Sequence, residues 1–191
     1  MNGLPDKDAG PVTAGPSNTV LLVVSESENI SKRIESHLRN TGYPVRANWV
    51  SSLEALEQAL NQSTPQLLIC SEGMNAAPLK EVVNLSTRLC PQLPILSLAA
   101  RYTAEGTLDA LAIGARDQVS CEDARHLRHL QMVCLRELAS HHTVRALETA
   151  RIRLNDYETR QKQLLAGSTD AVAHAQEGIL CDANPAFATL L

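Results

Sequence analysis

Between residues 19 and 122, apolar runs and amphipathic segments take turns with short joints, and this alternation constrains the chain more than any other feature. Residues 19–24 read Thr-Val-Leu-Leu-Val-Val, a continuous β-branched and aliphatic run of the kind found in strands covered on both faces. Residues 29–40 place Ile30, Ile34 and Leu38 four apart, which predicts an amphipathic helix that Gly42 ends. A second strand is expected over 44–50, followed by a helix over 52–60 with Leu53, Leu56 and Leu60 on one face. A third apolar strand over 66–70 leads to a helix over 78–89. A fourth strand over 94–99 leads to a helix over 107–114, closed by Gly114, and a short fifth strand covers 118–120.

Five strands alternating with helices through short loops imply right-handed crossovers and a parallel sheet. The smallest arrangement of that kind is α/β and flavodoxin-like, with strand order 2-1-3-4-5. A chain of 191 residues that is 44% hydrophobic can bury such a core and still carry an extension. Residues 1–18, with Gly3, Pro5, Gly10, Pro11, Gly15 and Pro16 among small polar residues, read as a disordered tail.

From 123 the pattern changes. Gly and Pro are absent from 122 through 166, and Arg, Leu, Ala, Glu and Gln dominate, all good helix formers. Thr143, Leu147, Ala150, Leu154, Tyr157, Gln161 and Leu164 alternate steps of four and three, a heptad seam. At ~1.5 Å per residue a helix of about 40 residues runs about 60 Å, more than a sheet of this size can cover. Its far half therefore calls for a partner, most simply a second copy of itself in a parallel dimer, with an intramolecular core stripe as the alternative. The polar members Thr143 and Gln161 weaken that seam, which suits an element that shifts register or angle. Beyond Gly167, residues 171–176 and 179–181 flank Glu177-Gly178 as a hairpin. Asn184-Pro185 reads as the N-cap and first turn of another helix. Two short strands make no stable unit alone, so residues 167–191 are expected to be the truncated start of a further domain.

Residues 19–122 resemble the receiver domains of response regulators. Ser25-Glu26 stands where receivers end their first strand in paired acids, and residues 65–71 stand where they read Pro-Asp-x-x-x-x-Asp. Residues 94–100 match the fourth strand, and 110–117 match the Ala-Gly-Ala-x-Asp stretch before the fifth. Receiver chemistry uses three acids around Mg²⁺, a hydroxyl and a Lys. By this resemblance the acid pair retains only Glu26 beside Ser25, and the acceptor position is Ser71. The hydroxyl position is Ala99, the Lys position is Cys121 followed by Glu122 instead of Pro, and the aromatic position is Gln118. Glu72 adjoins Ser71 but points to the opposite face of the strand, a poor substitute acceptor. The resemblance thus implies a degenerate receiver with a vestigial phosphorylation pocket, no catalytic residues and no cofactor, in a protein that is not an enzyme. Two other readings stay open: a receiver phosphorylated at an unusual acceptor such as Glu26, and a small-ligand sensor acting through the last segment.

Residues 168–187, with Asp182-Ala183-Asn184-Pro185-Ala186-Phe187, resemble the start of a PAS domain. A degenerate receiver, a long helix (123–166) and a PAS start together resemble the N-terminal region of FimX-type proteins, and Arg136-Glu137-Leu138-Ala139 adds to that likeness. Such proteins continue into GGDEF and EAL domains and act in cyclic-di-GMP control of type IV pili and twitching motility. The likeness implies a homodimeric docking and signal-transmission module, with protein partners in the pilus and cyclic-di-GMP machinery. It also implies a cytoplasmic bacterial protein placed at the cell pole, with Leu147, Ala150, Leu154, Tyr157 and Leu164 in the dimer and signalling helix. The contact face it suggests is helix four, strand five and helix five.

Other classes are disfavoured by the residues themselves. A net charge of -4 and 3% aromatic content suit no nucleic-acid surface. Basic residues outnumber acidic ones eight to four between Arg125 and Lys162, which reads as a solvated helix. No apolar stretch approaches the ~20 residues of a membrane span, and residues 1–18 lack a signal-peptide pattern. Cys70, Cys90, Cys121, Cys134 and Cys181 are scattered without a C-x-x-C and read as reduced, mostly packed thiols. His126 with His129, and His141 with His142, lack the further ligands of a metal site, and no kinase-like neighbourhood surrounds any histidine.

Overall fold

Strand β1 (Thr19–Val24) runs between β2 (Val45–Val50) and β3 (Leu67–Ser71), and β4 (Ile95–Leu98) and β5 (Asp117–Val119) extend the sheet beyond β3. All four pairings are parallel and the order is β2-β1-β3-β4-β5, as the alternation of elements implies. The computed structural model describes residues 19–167, 171–176, 179–183 and 185–188. The expected tail over 1–18 lies outside them, as do Glu177, Gly178 and Asn184.

The period of two along each strand divides the core. Leu21, Val23, Leu67, Ile69, Leu96, Leu98 and Val119 face one way. There they meet Ile34 and Leu38 of α1 (Glu28–Asn40) and Leu130, Val133, Cys134 and Leu138 of α5 (Ala124–Gly167). Leu22, Val24, Leu68, Cys70 and Ile95 face the other way. They meet Leu56 and Leu60 of α2 (Leu53–Gln62) and Val82 and Val83 of α3 (Leu79–Leu89). Each such fully buried aliphatic side chain contributes roughly 1.5–3 kcal/mol of transfer free energy.

Local chemistry sets the element ends. Ser27, Ser52 and Thr103 each accept a hydrogen bond from a backbone N–H in the first turn of α1, α2 and α4 (Ala104–Ile113). The Thr103 cap starts α4 three residues earlier than the apolar spacing suggested. Gly114 ends it with φ 117°, a left-handed conformation, and a Cβ there would sit 3.1 Å from Val83. At the sheet edges, the Glu35 carboxylate accepts from Ala47 N–H of β2 at 3.2 Å. Arg136 of α5 donates to Asp117 of β5 at 3.0 Å.

The chain divides into two compact units between His141 and His142. The first turns of α5 belong to the first unit, because Leu130, Val133, Cys134 and Leu138 recur at helical spacing on its inward side. The second unit contains the rest of α5, the antiparallel pair β6 (Ala173–Gln176) and β7 (Ile179–Ala183), and α6 (Pro185–Ala188). Among the described residues, no helix is long and apolar enough to cross a membrane.

Candidate functional site

The carboxyl ends of β1, β3, β4 and β5 form the edge where folds of this order bind ligands. Ser25 is fully buried there and its polar groups are committed to structure. Its N–H donates to Val50 O at 3.1 Å, its carbonyl accepts from Trp49 Nε1 at 2.8 Å, and its hydroxyl donates to Ser27 O at 2.9 Å. Glu26, the next residue, is exposed. Ser71 closes β3 with a buried hydroxyl that makes no hydrogen bond to any described residue. Ala99 is buried and offers a methyl group. Cys121 is half-buried against the core of the α1 and α5 face. Burial pushes its thiol pKa up, while the nearby Arg33 and a backbone hydrogen bond pull it down. Arg33 itself donates to Glu122 O at 3.0 Å.

A Mg²⁺ ion of the receiver type takes hard oxygen ligands, chiefly carboxylates. The corresponding residues here are a serine whose hydroxyl is already used, an exposed glutamate and a serine without charge. No three His, Cys, Asp or Glu side chains among the described residues gather to hold a metal. These residues do not fit the ion.

The best-connected polar group at this edge is Glu72. It lies on the opposite side of the strand from Ser71, as the alternation requires, and its role there is structural. Glu72 Oε1 accepts from Ser97 Oγ at 2.5 Å and from Gln118 Nε2 at 2.6 Å. Thr107 Oγ1 of α4 lies 3.0 Å from Gln118 Oε1 and 2.9 Å from Thr103 O, so its single proton serves one or the other at a time. Gln118 is 1% exposed and Ser97 fully buried. The side chain at the receiver's aromatic position is thus held inward against the first turn of α4. Gly106 makes that approach possible, since a Cβ there would lie 2.8 Å from Gln118 Nε2 and 2.9 Å from Thr103 Oγ1. Sequence reasoning missed this clasp. Its signal was Ser97, a hydroxyl inside the buried run Ile95-Leu96-Ser97-Leu98, which needs a partner.

Outside the clasp α4 is weakly seated. Of its side chains only Ala110 is buried, while Leu108 and Leu111 are exposed, as are Tyr102 in the preceding loop and Met132 on α5. Tyr102 meets the His129 ring edge-on at 6.2 Å, linking the loop before α4 to α5. On the second unit's part of α5, Leu147, Leu154 and Tyr157 are 71%, 60% and 71% exposed, and Ala150 is exposed beside them. Leu164 is helical, but its side chain lies outside the described set. His126 pairs with Asp123 at 2.9 Å at the start of α5.

No family model matches the chain. Solved structures similar to the first unit are response-regulator proteins. The receiver domain of the Francisella response regulator 1452 is 13% identical with a TM-score of 0.55, covering 64% of this chain and 98% of that one. NtrX from Brucella abortus is 19% identical with a TM-score of 0.59, covering 73% of this chain and 30% of that one. An orphan response regulator of H. pylori is 21% identical with a TM-score of 0.51, covering 63% and 96%. These likenesses establish a receiver (flavodoxin-like) fold followed by a long helix. Among curated proteins, the polymeric immunoglobulin receptor of Equus asinus is 25% identical over 156 residues. That match covers 81% of this chain, which spans 19% of the relative's length, and it is too distant to define a family.

Proposed function

We propose that the chain is a pseudo-receiver: a receiver scaffold without phosphotransfer that dimerises, docks a protein partner and passes its state along α5. The observation that carries this reading is the state of the carboxyl edge. Glu26 is the remaining carboxylate of the acid pair and is exposed, Ser71, Ala99 and Cys121 replace the reacting groups, and the Glu72 carboxylate is occupied by Ser97 and Gln118. With the phosphoryl pocket out of use, the surfaces left for function are the exposed side of α4 and the seam of α5.

The setting we propose is cytoplasmic, at the cell pole, in a cyclic-di-GMP pathway that regulates type IV pili and twitching motility. Residues 167–191 would begin a PAS domain. Support for this finer reading is the resemblance of the segments 19–122, 123–166 and 168–187, taken in order, to FimX-type proteins.

Incubation with acetyl phosphate, or with beryllofluoride and Mg²⁺, tests the central claim. Intact mass should show no phosphoryl adduct, and Mg²⁺ should cause no change in tryptophan emission. A stoichiometric adduct that Glu26→Gln abolishes would establish an active receiver with an unusual acceptor instead. In cells, a fluorescent fusion should gather at the pole, and Leu108→Asp with Leu111→Asp should disperse it if the outer side of α4 is the docking face.

A further inference from the structure

The part of α5 that follows His142 fixes not only a partner but an orientation. Leu147, Leu154 and Gln161 occupy one seam position of the heptad, and Thr143, Ala150, Tyr157 and Leu164 the other. The helix is unbroken from Ala124 to Gly167, and Leu147, Leu154 and Tyr157 are more than half exposed. An apolar stripe on a 3.5-residue period, left open to water, matches the buried stripe of a two-stranded coiled coil. Its flanks carry unequal charge. One flank holds Val144, Arg151, Glu158 and position 165, and the other holds Ala146, Arg153 and Arg160.

These flanks distinguish the two ways of pairing two copies. In a parallel, in-register pair each residue of the second flank faces the first-flank residue five positions later in the partner. Arg153 then faces the partner's Glu158, twice by symmetry. Arg151 and Arg160 face positions 146 and 165, which carry no charge. In the antiparallel pair that aligns the same seam layers, Arg151 faces the partner's Glu158 twice, but Arg153 faces the partner's Arg160 twice. Attraction is then offset by repulsion. The antiparallel form gains nothing net from charge, whereas the parallel form keeps two attractive pairs and no repulsive one.

We infer that the occupant of this seam is a second copy of the chain, parallel and in register, with Arg153 paired to the partner's Glu158 on both sides. The inference rests on the dimer reading proposed above and adds its orientation and its pairing residues. A parallel pair brings the two copies of Gly167, the last residue of α5, to the same end of the seam. An antiparallel pair would separate them.

The two orientations respond in opposite directions to one substitution. Arg153→Glu places two glutamates face to face in the parallel pair, and in the antiparallel pair it replaces two arginine repulsions with two attractions. Sedimentation equilibrium of the 191-residue chain at low salt reads the difference. For the parallel pair, Arg153→Glu should weaken dimerisation by roughly 5- to 30-fold, the effect of about 1–2 kcal/mol. Arg153→Glu combined with Glu158→Arg should restore it, with helix content by circular dichroism unchanged throughout. Dimerisation equal to or tighter than wild type in Arg153→Glu would overturn the parallel assignment while leaving the dimer intact. A loss that the double exchange fails to restore would overturn the Arg153–Glu158 pairing. A wild-type chain that is monomeric at tens of micromolar would overturn the dimer reading itself.

Discussion

Glu72 and Gln118, 46 residues apart in the chain, are joined by a 2.6 Å hydrogen bond from the Gln118 side-chain amide to the Glu72 carboxylate. The bond ties the end of β3 to β5 beneath α4, and Ser97 of β4 donates to the same oxygen. One acceptor oxygen shared by two buried donors satisfies groups that would otherwise be stranded in the interior. Glu72→Ala should therefore cost about 1–3 kcal/mol, because it leaves the Ser97 hydroxyl and the Gln118 amide unpaired. Glu72→Gln, which keeps an acceptor oxygen, should cost less. Urea unfolding of the two variants checks the order, and equal losses would show that the donors find other partners.

Gly106 offers a sign test of the same contact. Within an exposed stretch of helix, Gly→Ala is ordinarily stabilising by about 1 kcal/mol. Here the new methyl would lie 2.8 Å from Gln118 Nε2, so Gly106→Ala should fail to stabilise and should loosen α4. Removing the amide with Gln118→Ala should relieve part of the clash. A double-mutant cycle by urea unfolding should therefore give a favourable interaction energy between the two substitutions. Strict additivity would mean that Gln118 does not press on α4.

Asp123 opens α5, its carboxylate accepting from Arg125 N–H at 2.8 Å and His126 N–H at 2.9 Å. The backbone hydrogen bond from His126 leads the causes that lower its pKa below the usual aspartate value. A group with a depressed folded pKa contributes stability that is complete above its unfolded pKa and is lost as pH falls through the folded one. Thermal unfolding followed from pH 6 down to pH 3 should show this loss, beginning near the ordinary aspartate pKa of about 3.9. Asp123→Asn, which keeps a capping oxygen without a charge to titrate, should lose less over the same range.

The thiols should divide by burial. Cys70 and Cys134 are buried, and desolvation first, then a neighbouring glutamate, pushes each pKa up to about 12. Cys181 is exposed. With a thiol-reactive dye at pH 8, Cys181 should label promptly, while Cys70 and Cys134 should stay silent until denaturant is added. Prompt labelling of Cys134 would mean that α5 opens away from the sheet.

Elements built on periodicity are legible in the sequence itself. The fully buried runs at residues 21–24 and 67–70 and the four-residue spacing of Ile30, Ile34 and Leu38 specify the sheet and α1, because burial and pattern agree there. The start of α4 was misplaced by three residues, since its first turn is set by the Thr103 cap and the Gly106 contact and not by an apolar face. The edge of the sheet was legible only as a set of replaced residues. That Glu72 would serve Ser97 and Gln118 depends on side chains from three strands meeting in space. Sequence spacing does not encode such a meeting.

The hydrogen bond from Trp49 to the carbonyl of Ser25 has an optical consequence. Trp49 is the single tryptophan of the chain, is 39% exposed, and is fixed to Ser25, the residue just after β1 at the carboxyl edge of the sheet. Its emission is therefore a built-in reporter of that corner of the molecule, readable without any label. Whatever occupies or distorts the end of β1 should shift the spectrum.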